Sequence, residues 1–437
     1  MHRFVAITLA AALALFLAGC CYKQSYGPSF EEELKASKGK NWYFGFNAAM
    51  KPIISAPLLL NDKLYVTSLG GVLYCVDKEK GKPVDTFIFN NKRPLKAGFR
   101  SGPVADGKNL FVGCYDHNVY AIDPSDGGVQ WIYATSGKIE GSPVLMDGRI
   151  YVGTWTNELY CLDKATGDVL WEYKAGDKVR CTPAAFGGRV YFGDISGRFY
   201  CLSVTGSQPK LEWDFKAGDA IYGEPVTDGD AVWFTSIDKN IYCLDAKTGQ
   251  QRWVYETGGE IWAGPCIDTF AVDLPNTAKP PTETPLPGAE TNAPTDATKG
   301  NTEAEITREL VTRLYVGSMD AKFYILDAAS GELPSYYDPA SGKKETIQPF
   351  VCGLGRPNDD GIQGWAVTDE KNVYFGAGDF VFRALDKVTG KVVWNFSARG
   401  EIRSKPLVYE GKVVFGCDDT YFYGLKTESG NPVKGAM

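Results

Sequence analysis

Residues 139–173 read IEGSPVLMDGRIYVGTWTNELYCLDKATGDVLWEY, and this stretch decides the fold because the rest of the chain repeats it. It contains four short runs in which apolar and polar residues alternate, around 142–145, 149–153, 158–162 and 169–173. Alternation of this length predicts β-strands, and the Gly, Asp and Asn residues between the runs predict turns. One copy is therefore a small antiparallel unit of four strands.

Eight copies follow one another with a period of about 40 residues, and they begin at Ile53, Phe99, Ile139, Val179, Ile221, Ile261, Ile362 and Ile402. A proline commonly precedes an aromatic residue by eight positions, as Pro143 precedes Tyr151. Four strands in each repeat predict an all-β, eight-bladed β-propeller with four-stranded antiparallel blades over residues 41–433. The eighth copy ends before its fourth strand, and 41–44 matches 170–173, so we expect an N-terminal strand to complete the last blade.

The turn after the third strand has a motif of its own. Residues 161–171 (CLDKATGDVLW) resemble the tryptophan-docking motif of quinoprotein-type propellers, which have PQQ-like repeats, and near-complete copies lie at 121–131, 243–253 and 384–394. Together with the lipid site that the sequence LAGC at 17–20 predicts, this plan is similar to the BamB family of outer-membrane barrel-assembly lipoproteins. The residues expected to tie the turn and cover the neighbouring blade are Asp123, Gly127, Trp131, Asp163, Gly167, Trp171, Asp245, Gly249, Trp253, Asp386, Gly390 and Trp394.

The N-terminus has the pattern of an export leader. Arg3 precedes an apolar run over 4–17, which is short for a membrane span, and the sequence LAGC ends at Cys20. This resembles a bacterial lipobox, which implies a signal peptide over 1–19 and a lipid on Cys20; an ordinary leader with a chance cysteine is the alternative. Residues 20–40 are expected to form a flexible tether, and Cys21 after the anchor favours the outer membrane, facing the periplasm.

One copy is interrupted between its first two strands. Pro265 and its matching aromatic residue Tyr315 stand fifty residues apart instead of eight, and the excess is rich in Pro, Thr, Ala and acidic residues. Such composition cannot bury a core, so we expect a disordered insertion at about 271–308. It is either a tolerated surface loop or a segment that contacts a partner.

Composition and placement exclude several kinds of chemistry. The net charge of −7 does not suit nucleic acid as a partner. His2 lies in the leader and His117 in a predicted turn, so no metal site is expected. Most of the 11 cysteines fall at equivalent positions of different blades and are expected to be small buried residues.

Quinoprotein dehydrogenases commonly have a vicinal disulfide beside the quinone, but the only vicinal pair here is Cys20 and Cys21 at the lipid site. The candidate acids Asp116, Asp238, Asp320 and Asp418 recur at the turn between the second and third strands, where aspartate is expected for turn geometry. No catalytic residue, no PQQ and no other cofactor is therefore expected.

Variation between copies points to a functional surface. First strands are innermost in a propeller, and the position three before the proline should form a ring at one channel mouth, followed in every copy by a small residue. That ring reads Ile54, Arg100, Glu140, Arg180, Tyr222, Trp262, Gln363 and Arg403. Arg, Trp and Tyr are typical of binding hot spots. The seven residues from Arg100 onward are therefore candidate partner or ligand contacts, although they could equally be rim residues with paired charges.

The resemblance implies a non-catalytic, lipid-anchored scaffold that binds an envelope protein, with outer-membrane β-barrel assembly as its process and the assembly machinery as its partner. Two alternatives stay open at this stage. One is a quinone- or small-ligand-binding propeller with oxidoreductase activity. The other is a cell-surface adhesion or signalling module.

Overall fold

The computed structural model describes residues 43–45, 51–84, 87, 89, 95, 97–275, 306–338, 340–341, 343–353 and 360–433. These residues form an all-β propeller of eight blades, so the predicted fold class is confirmed. Within the described part of the chain, no helix is both long and apolar enough to cross a membrane. The predicted signal peptide, Cys20 and the tether all lie outside the described residues.

The strands of blades 1 to 4 alternate with short turns. Blade 1 contains β2 (Leu58–Leu60), β3 (Lys63–Thr67) and β4 (Leu73–Asp77). Blade 2 contains β5 (Val104–Ala105), β6 (Leu110–Gly113), β7 (Asn118–Ile122) and β8 (Val129–Ala134). Blade 3 contains β9 (Val144–Met146), β10 (Arg149–Gly153), β11 (Glu158–Asp163) and β12 (Val169–Lys174). Blade 4 contains β13 (Ala184–Phe186), β14 (Arg189–Gly193), β15 (Arg198–Ser203) and β16 (Lys210–Lys216).

The second half continues the pattern with one elaborated blade. Blade 5 contains β17 (Val226–Thr227), β18 (Ala231–Thr235), β19 (Asn240–Asp245) and β20 (Gln251–Glu256). Blade 6 contains β21 (Cys266–Pro275), β22 (Ile306–Gly317), β23 (Lys322–Asp327) and β26 (Phe350–Val351), with a separate hairpin of β24 (Ser335–Asp338) and β25 (Lys343–Thr346). Blade 7 contains β27 (Val367–Thr368), β28 (Asn372–Gly376), β29 (Val381–Asp386) and β30 (Val392–Ser397).

The last blade joins the two ends of the propeller. It contains β31 (Leu407–Tyr409), β32 (Lys412–Gly416) and β33 (Tyr421–Lys426), and its outer strand is β1 (Tyr43–Gly45). β1 runs antiparallel to β33, with Tyr43 opposite Tyr423 and Gly45 opposite Tyr421. The predicted closure of the eighth blade by an N-terminal strand is thus confirmed.

Two blades depart from the regular plan. Blade 1 has three strands, and its outer position is reduced to an isolated bridge between Val76 and Pro83 among the described residues. In blade 6, β21 and β22 remain paired as far as Pro275 opposite Ile306. The insertion expected at about 271–308 therefore starts later and ends earlier than its composition indicates, because residues 271–275 and 306–308 extend a hairpin. Residues 276–305 lie outside the described part.

Neighbouring blades meet through glycine. The first residue of all eight copies is fully buried. Val179, for example, packs against Gly153 of the preceding blade so closely that a Cβ added to Gly153 would lie 2.4 Å from the Val179 Cγ1 atom. In six of the eight blades the second strand ends in glycine, which leaves room for the next blade's apolar side chain, whereas it ends in Thr67 in blade 1 and in Thr235 in blade 5. The core of the protein is consequently a series of apolar layers between blades, such as the one in which Tyr151 and Phe192 are buried.

The docking motif ties several blades to the next blade. The Trp131 indole covers Gly167 (φ +80°), where an added Cβ would lie 2.6 Å from the ring, and its Nε1 donates to the Lys164 carbonyl at 3.2 Å. Asp163 fixes that turn by accepting the backbone N–H groups of residues 165 and 166. The same stacking recurs in the pairs Trp213 on Gly249, Trp253 on Gly331 and Trp394 on Gly430.

Two docking residues show what happens where the neighbouring motif is incomplete. Trp171 faces the blade with Ser203 in the Asp position, and its buried Nε1 has no partner among the described residues. Gly390 follows the blade that lacks a docking tryptophan, and a Cβ there would meet the Ile347 side chain at 2.8 Å instead. The motif therefore works as a pair of matched halves on adjacent blades.

Candidate functional site

The channel is lined in three tiers, because alternate residues of an extended chain point to the same side. The tiers take the positions three before, one before and one after the repeat's proline, or Ala366 in its place. The first tier is Ile54, Arg100, Glu140, Arg180, Tyr222, Trp262, Gln363 and Arg403. The second is Ala56, Gly102, Ser142, Thr182, Glu224, Gly264, Trp365 and Lys405, and the third is Leu58, Val104, Val144, Ala184, Val226, Cys266, Val367 and Leu407.

All eight first-tier residues line one cavity of ≈ 580 Å³ at the channel mouth. Seven of the second tier and four of the third line the same cavity. The size is that of an ordinary ligand pocket. The variable ring that the sequence singles out is therefore one continuous surface, and it extends inward beyond the ring.

Glu140 holds two arginines of the first tier. Its carboxylate accepts from Arg180 Nε at 2.6 Å and Nη2 at 3.0 Å, from Arg100 Nη1 at 2.8 Å and from Trp155 Nε1 at 3.0 Å. Burial lowers the pKa of Arg180, but these contacts with Glu140 more than offset it, so the pKa is raised. Both guanidiniums are thereby held in place, and the shared carboxylate offsets one of their two positive charges.

A stack of flat groups crosses blades 3 to 6 at the mouth. The Arg180 guanidinium lies between the rings of Trp155 and Tyr222, 4.7 and 4.5 Å from their centroids. Tyr222 stacks in turn on Trp262 with centroids 4.9 Å apart and planes 8° from parallel. Lys138 Nζ also lies over the Trp155 ring, 5.2 Å from its centroid. Cation–π and stacking contacts of this kind make a rigid platform out of residues that are mobile when alone.

Arg403 pairs with Asp418, and this pair corrects one assignment from the sequence. The sequence suggests that Asp418 is the turn aspartate equivalent to Asp116. In the structure that place belongs to Asp419, which accepts from the Tyr423 hydroxyl at 2.5 Å just as Asp116 accepts from Tyr120. Asp418 lies one position earlier, where it hydrogen-bonds Arg403, and burial raises its pKa.

The second tier contains groups that the sequence analysis missed. Lys405 Nζ lies 2.8 Å from Glu224 Oε2, a contact between blades 8 and 5 that spans the channel. Burial lowers the pKa of Lys405, but Glu224 more than offsets it and the pKa is raised. Trp365 lies in the same tier with its buried Nε1 unpaired among the described residues. Glu224, Trp365 and Lys405 each lie two positions after a first-tier residue, so extending the ring by two positions along the sequence would have identified them.

The histidine and cysteine residues considered from the sequence occupy structural positions in turns and strands. His117 is exposed in its turn with φ +74°, as expected. All nine described cysteines are free. No cluster of three or more His, Cys, Asp or Glu residues suitable for a metal ion occurs among the residues that the structure describes. Trp155, which the sequence analysis did not single out, belongs to the mouth because its turn follows the second strand of blade 3.

Comparison with protein families gives a match over most of the propeller. The family described as outer membrane protein assembly factor BamB matches residues 71–184, 174–265 and 335–433, which together exceed half of the chain. A search of curated protein sequences finds no match.

Solved structures share the fold at low sequence identity. The computationally designed Ika8 protein superposes with a TM-score of 0.64 at 13% identity, covering 89% of this chain and 100% of that one. BamB from Moraxella catarrhalis superposes with a TM-score of 0.61 at 14% identity, covering 88% and 98%.

Proposed function

Because the chain belongs to the family of the outer membrane protein assembly factor BamB, we propose that it is a non-catalytic scaffold of the cell envelope that holds a partner protein against its channel mouth. The proposed process is the assembly of outer-membrane β-barrel proteins, and the proposed partner is a component of the assembly machinery. Family membership supports a place at the outer membrane. The leader and Cys20 support a lipid anchor that leaves the propeller in the periplasm.

The single observation that carries the binding role is the composition of the mouth. A propeller needs small residues where its blades converge, but it does not need three arginines, a glutamate and two large aromatic side chains in the first tier. The chain holds them rigidly, with Arg180 bonded to Glu140 and stacked between two rings. Preorganised Arg, Tyr and Trp side chains lose little entropy on binding and are typical interface anchors.

The mouth also suits a protein better than a small charged substrate. Arg100 and Arg180 share Glu140, and Arg403 has Asp418, so the ring carries little unpaired charge. Charged groups on a partner protein can replace one member of these ion pairs. Such contacts orient the partner and add to its affinity.

Affinity purification from native membranes tests the proposal. The full chain is compared with the triple variant Arg100→Gln, Glu140→Gln, Arg180→Gln, in which both signs of charge are removed together so that none is stranded. We expect the unaltered chain to recover a barrel protein with polypeptide-transport domains, and the triple variant to lose most of it.

The matched control is Arg189→Gln with Glu212→Gln, an ion pair with the same 2.6 Å Nε–Oε2 separation in blade 4 that does not line the cavity. Equal capture by the triple variant and the control would remove the mouth as the binding surface. Recovery of no barrel-assembly protein by any form would contradict the proposed process.

A further inference from the structure

The second tier is uneven around the ring, and this opens one half of the channel. Blades 1 to 3 contribute the small residues Ala56, Gly102 and Ser142. On the other side, the Glu224–Lys405 ion pair crosses the channel between blades 5 and 8. The cavity reaches the third tier of blades 2, 3, 7 and 8 but not that of blades 1, 4, 5 and 6. It therefore descends beside blades 7, 8, 2 and 3, around the Lys405 end of the ion pair, and not beside blades 4 to 6 at the Glu224 end.

The bottom of this open half is apolar. We call it the apolar slot, and it is lined by Ile54, Ala56, Val104, Val144, Val367 and Leu407. No third-tier residue in any blade is charged, because each begins an inner strand that packs against the neighbouring blade. An apolar group that enters the slot leaves water without displacing a polar contact.

The walls of the slot are fixed. A Cβ added to Gly102 would lie 2.7 Å from the Ala56 carbonyl oxygen, so the two backbones are already in contact. The Gly102 N–H donates to Ser142 Oγ at 2.9 Å, and the Ser142 N–H donates to Thr182 Oγ1 at 2.8 Å. This chain of hydrogen bonds links blades 2, 3 and 4 around the channel. The slot is thus preformed, and an occupant does not have to order it.

The groups above the slot restrict what can occupy it. Every cationic side chain of the first two tiers contacts a carboxylate, and because two arginines share Glu140 the passage offers an excess of only one positive charge to a polyanion. Gln363 lines the cavity and makes no hydrogen bond to another described residue. Its amide can donate to a peptide carbonyl and accept from a peptide N–H. A fatty acyl chain has neither group along its length, whereas an extended polypeptide has both.

We propose that the channel mouth binds an extended, uncharged segment of a partner protein, which inserts one large aliphatic or aromatic side chain into the apolar slot and pairs its backbone with Gln363. The inference rests on the proposed function and specifies the partner's chemistry: the segment enters beside blades 1 to 3, below the arginine ring.

Capped pentapeptides provide the probe. Their sequences are Gly-Gly-X-Gly-Gly with Phe, Ala or Asp at X, and they are titrated into the full chain labelled with ¹⁵N in its tryptophan indoles. The Phe peptide is expected to shift the Trp365 and Trp262 indole signals, assigned with Trp365→Phe and Trp262→Phe, and to leave Trp131 unchanged. Calorimetry is expected to show roughly tenfold tighter binding of the Phe peptide than of the Ala peptide, and no binding of the Asp peptide.

Two valines of the third tier give a matched pair of variants. Val144→Phe fills the slot and is expected to weaken the Phe peptide by roughly tenfold, whereas Val226→Phe lies in the same tier outside the cavity and should change it by less than about twofold. Val144→Thr, nearly isosteric, puts a hydroxyl into the slot and should weaken binding even if Val144→Phe does not fold. Thermal unfolding verifies each variant.

Equal affinity for the Phe and Ala peptides, or an unchanged affinity in Val144→Thr, would overturn the inference. So would binding of sodium octanoate with the same indole shifts and none by any peptide, because the slot would then be an acyl site. If membrane purification recovers a partner but no peptide binds, the partner uses the outer rim and only this inference fails. If the peptides bind but no partner is recovered, the proposed function fails instead.

Discussion

Arg180 of blade 4 donates two hydrogen bonds to the Glu140 carboxylate of blade 3, from Nε at 2.6 Å and from Nη2 at 3.0 Å. Both side chains are mostly shielded, with 18% and 14% of their surfaces exposed. A bidentate, partly desolvated pair of this kind behaves differently from an ion pair on the surface.

Glu140→Gln is expected to lower the free energy of unfolding by about 1–3 kcal/mol, because two guanidiniums then face a neutral amide. Glu212→Gln, which breaks the more exposed pair with Arg189, should cost less than about 1 kcal/mol. Urea unfolding at neutral pH measures both changes. Equal costs would contradict the view that the mouth pair is special.

Gly167→Ala tests the docking of one blade on the next. An added methyl group would lie 2.6 Å from the Trp131 ring, and the residue has φ +80°. We expect a loss of about 2–4 kcal/mol, the sum of backbone and steric costs. Gly148→Ala has a similar φ of +76° but nothing within 4 Å, so it should cost only about 1 kcal/mol. Denaturation midpoints of the two variants separate the backbone cost from the steric cost.

The docking tryptophans are not equal, and substitution by phenylalanine should reveal it. Trp394 donates from Nε1 to the Thr427 carbonyl at 2.7 Å, whereas Trp171, which is similarly buried, has no such partner among the described residues. Trp394→Phe should therefore destabilise by about 1 kcal/mol more than Trp171→Phe. Thermal unfolding of the pair is the measurement, and a larger loss at Trp171 would refute the reasoning.

Buried thiols make the protein sensitive to alkali. Burial raises the pKa of Cys161, Cys201 and Cys243 from 9.0 to about 12. The unfolded chain releases these protons at lower pH than the folded chain, so the stability that they supply is complete below pH 9 and is lost as the pH rises towards 12.

Replacement of all three cysteines by alanine should make the decline of stability above pH 9 shallower. Alanine occupies the same place in blades 2 and 7, as Ala121 and Ala384, so the fold accommodates it. Unfolding free energies measured at several alkaline pH values test this, and an unchanged slope in the triple variant would count against it.

Lipid attachment is a prediction from the leader. Cys20→Ala should abolish incorporation of labelled palmitate and release the protein from membranes, whereas Cys21→Ala should retain both. Labelling in both variants would place the modification elsewhere, and labelling in neither parent nor variant would remove the anchor from the proposed function.

The fold was predictable from the sequence because every copy of the repeat contains the same pattern of strands, turns and docking residues. The ring at the mouth followed from the same register, since Arg100 and Arg180 stand at equivalent places in their copies. Contacts between side chains of different copies could not be predicted, because no single copy contains both partners. The ion pair between Glu224 and Lys405 joins residues 181 positions apart, and only closure of the ring brings them together.

Two errors have local causes. Asp418 and Asp419 are adjacent, so a shift of one residue exchanges a turn aspartate for a mouth residue. The limits of the insertion in blade 6 were set by composition, but backbone pairing carries the hairpin to Pro275 and Ile306 whatever its side chains are. Composition shows where a core cannot form; it does not show where backbone hydrogen bonding stops.

Closure of the ring through β1 also has a mechanical consequence. Among the residues that the structure describes, three pairs join that strand to β33: Tyr43–Tyr423, Phe44–Phe422 and Gly45–Tyr421. Tension applied through the chain before Tyr43 reaches the propeller at this short seam before any other blade. This seam therefore sets the force at which the ring opens, and the strand pairings within the other blades stay unloaded until it separates.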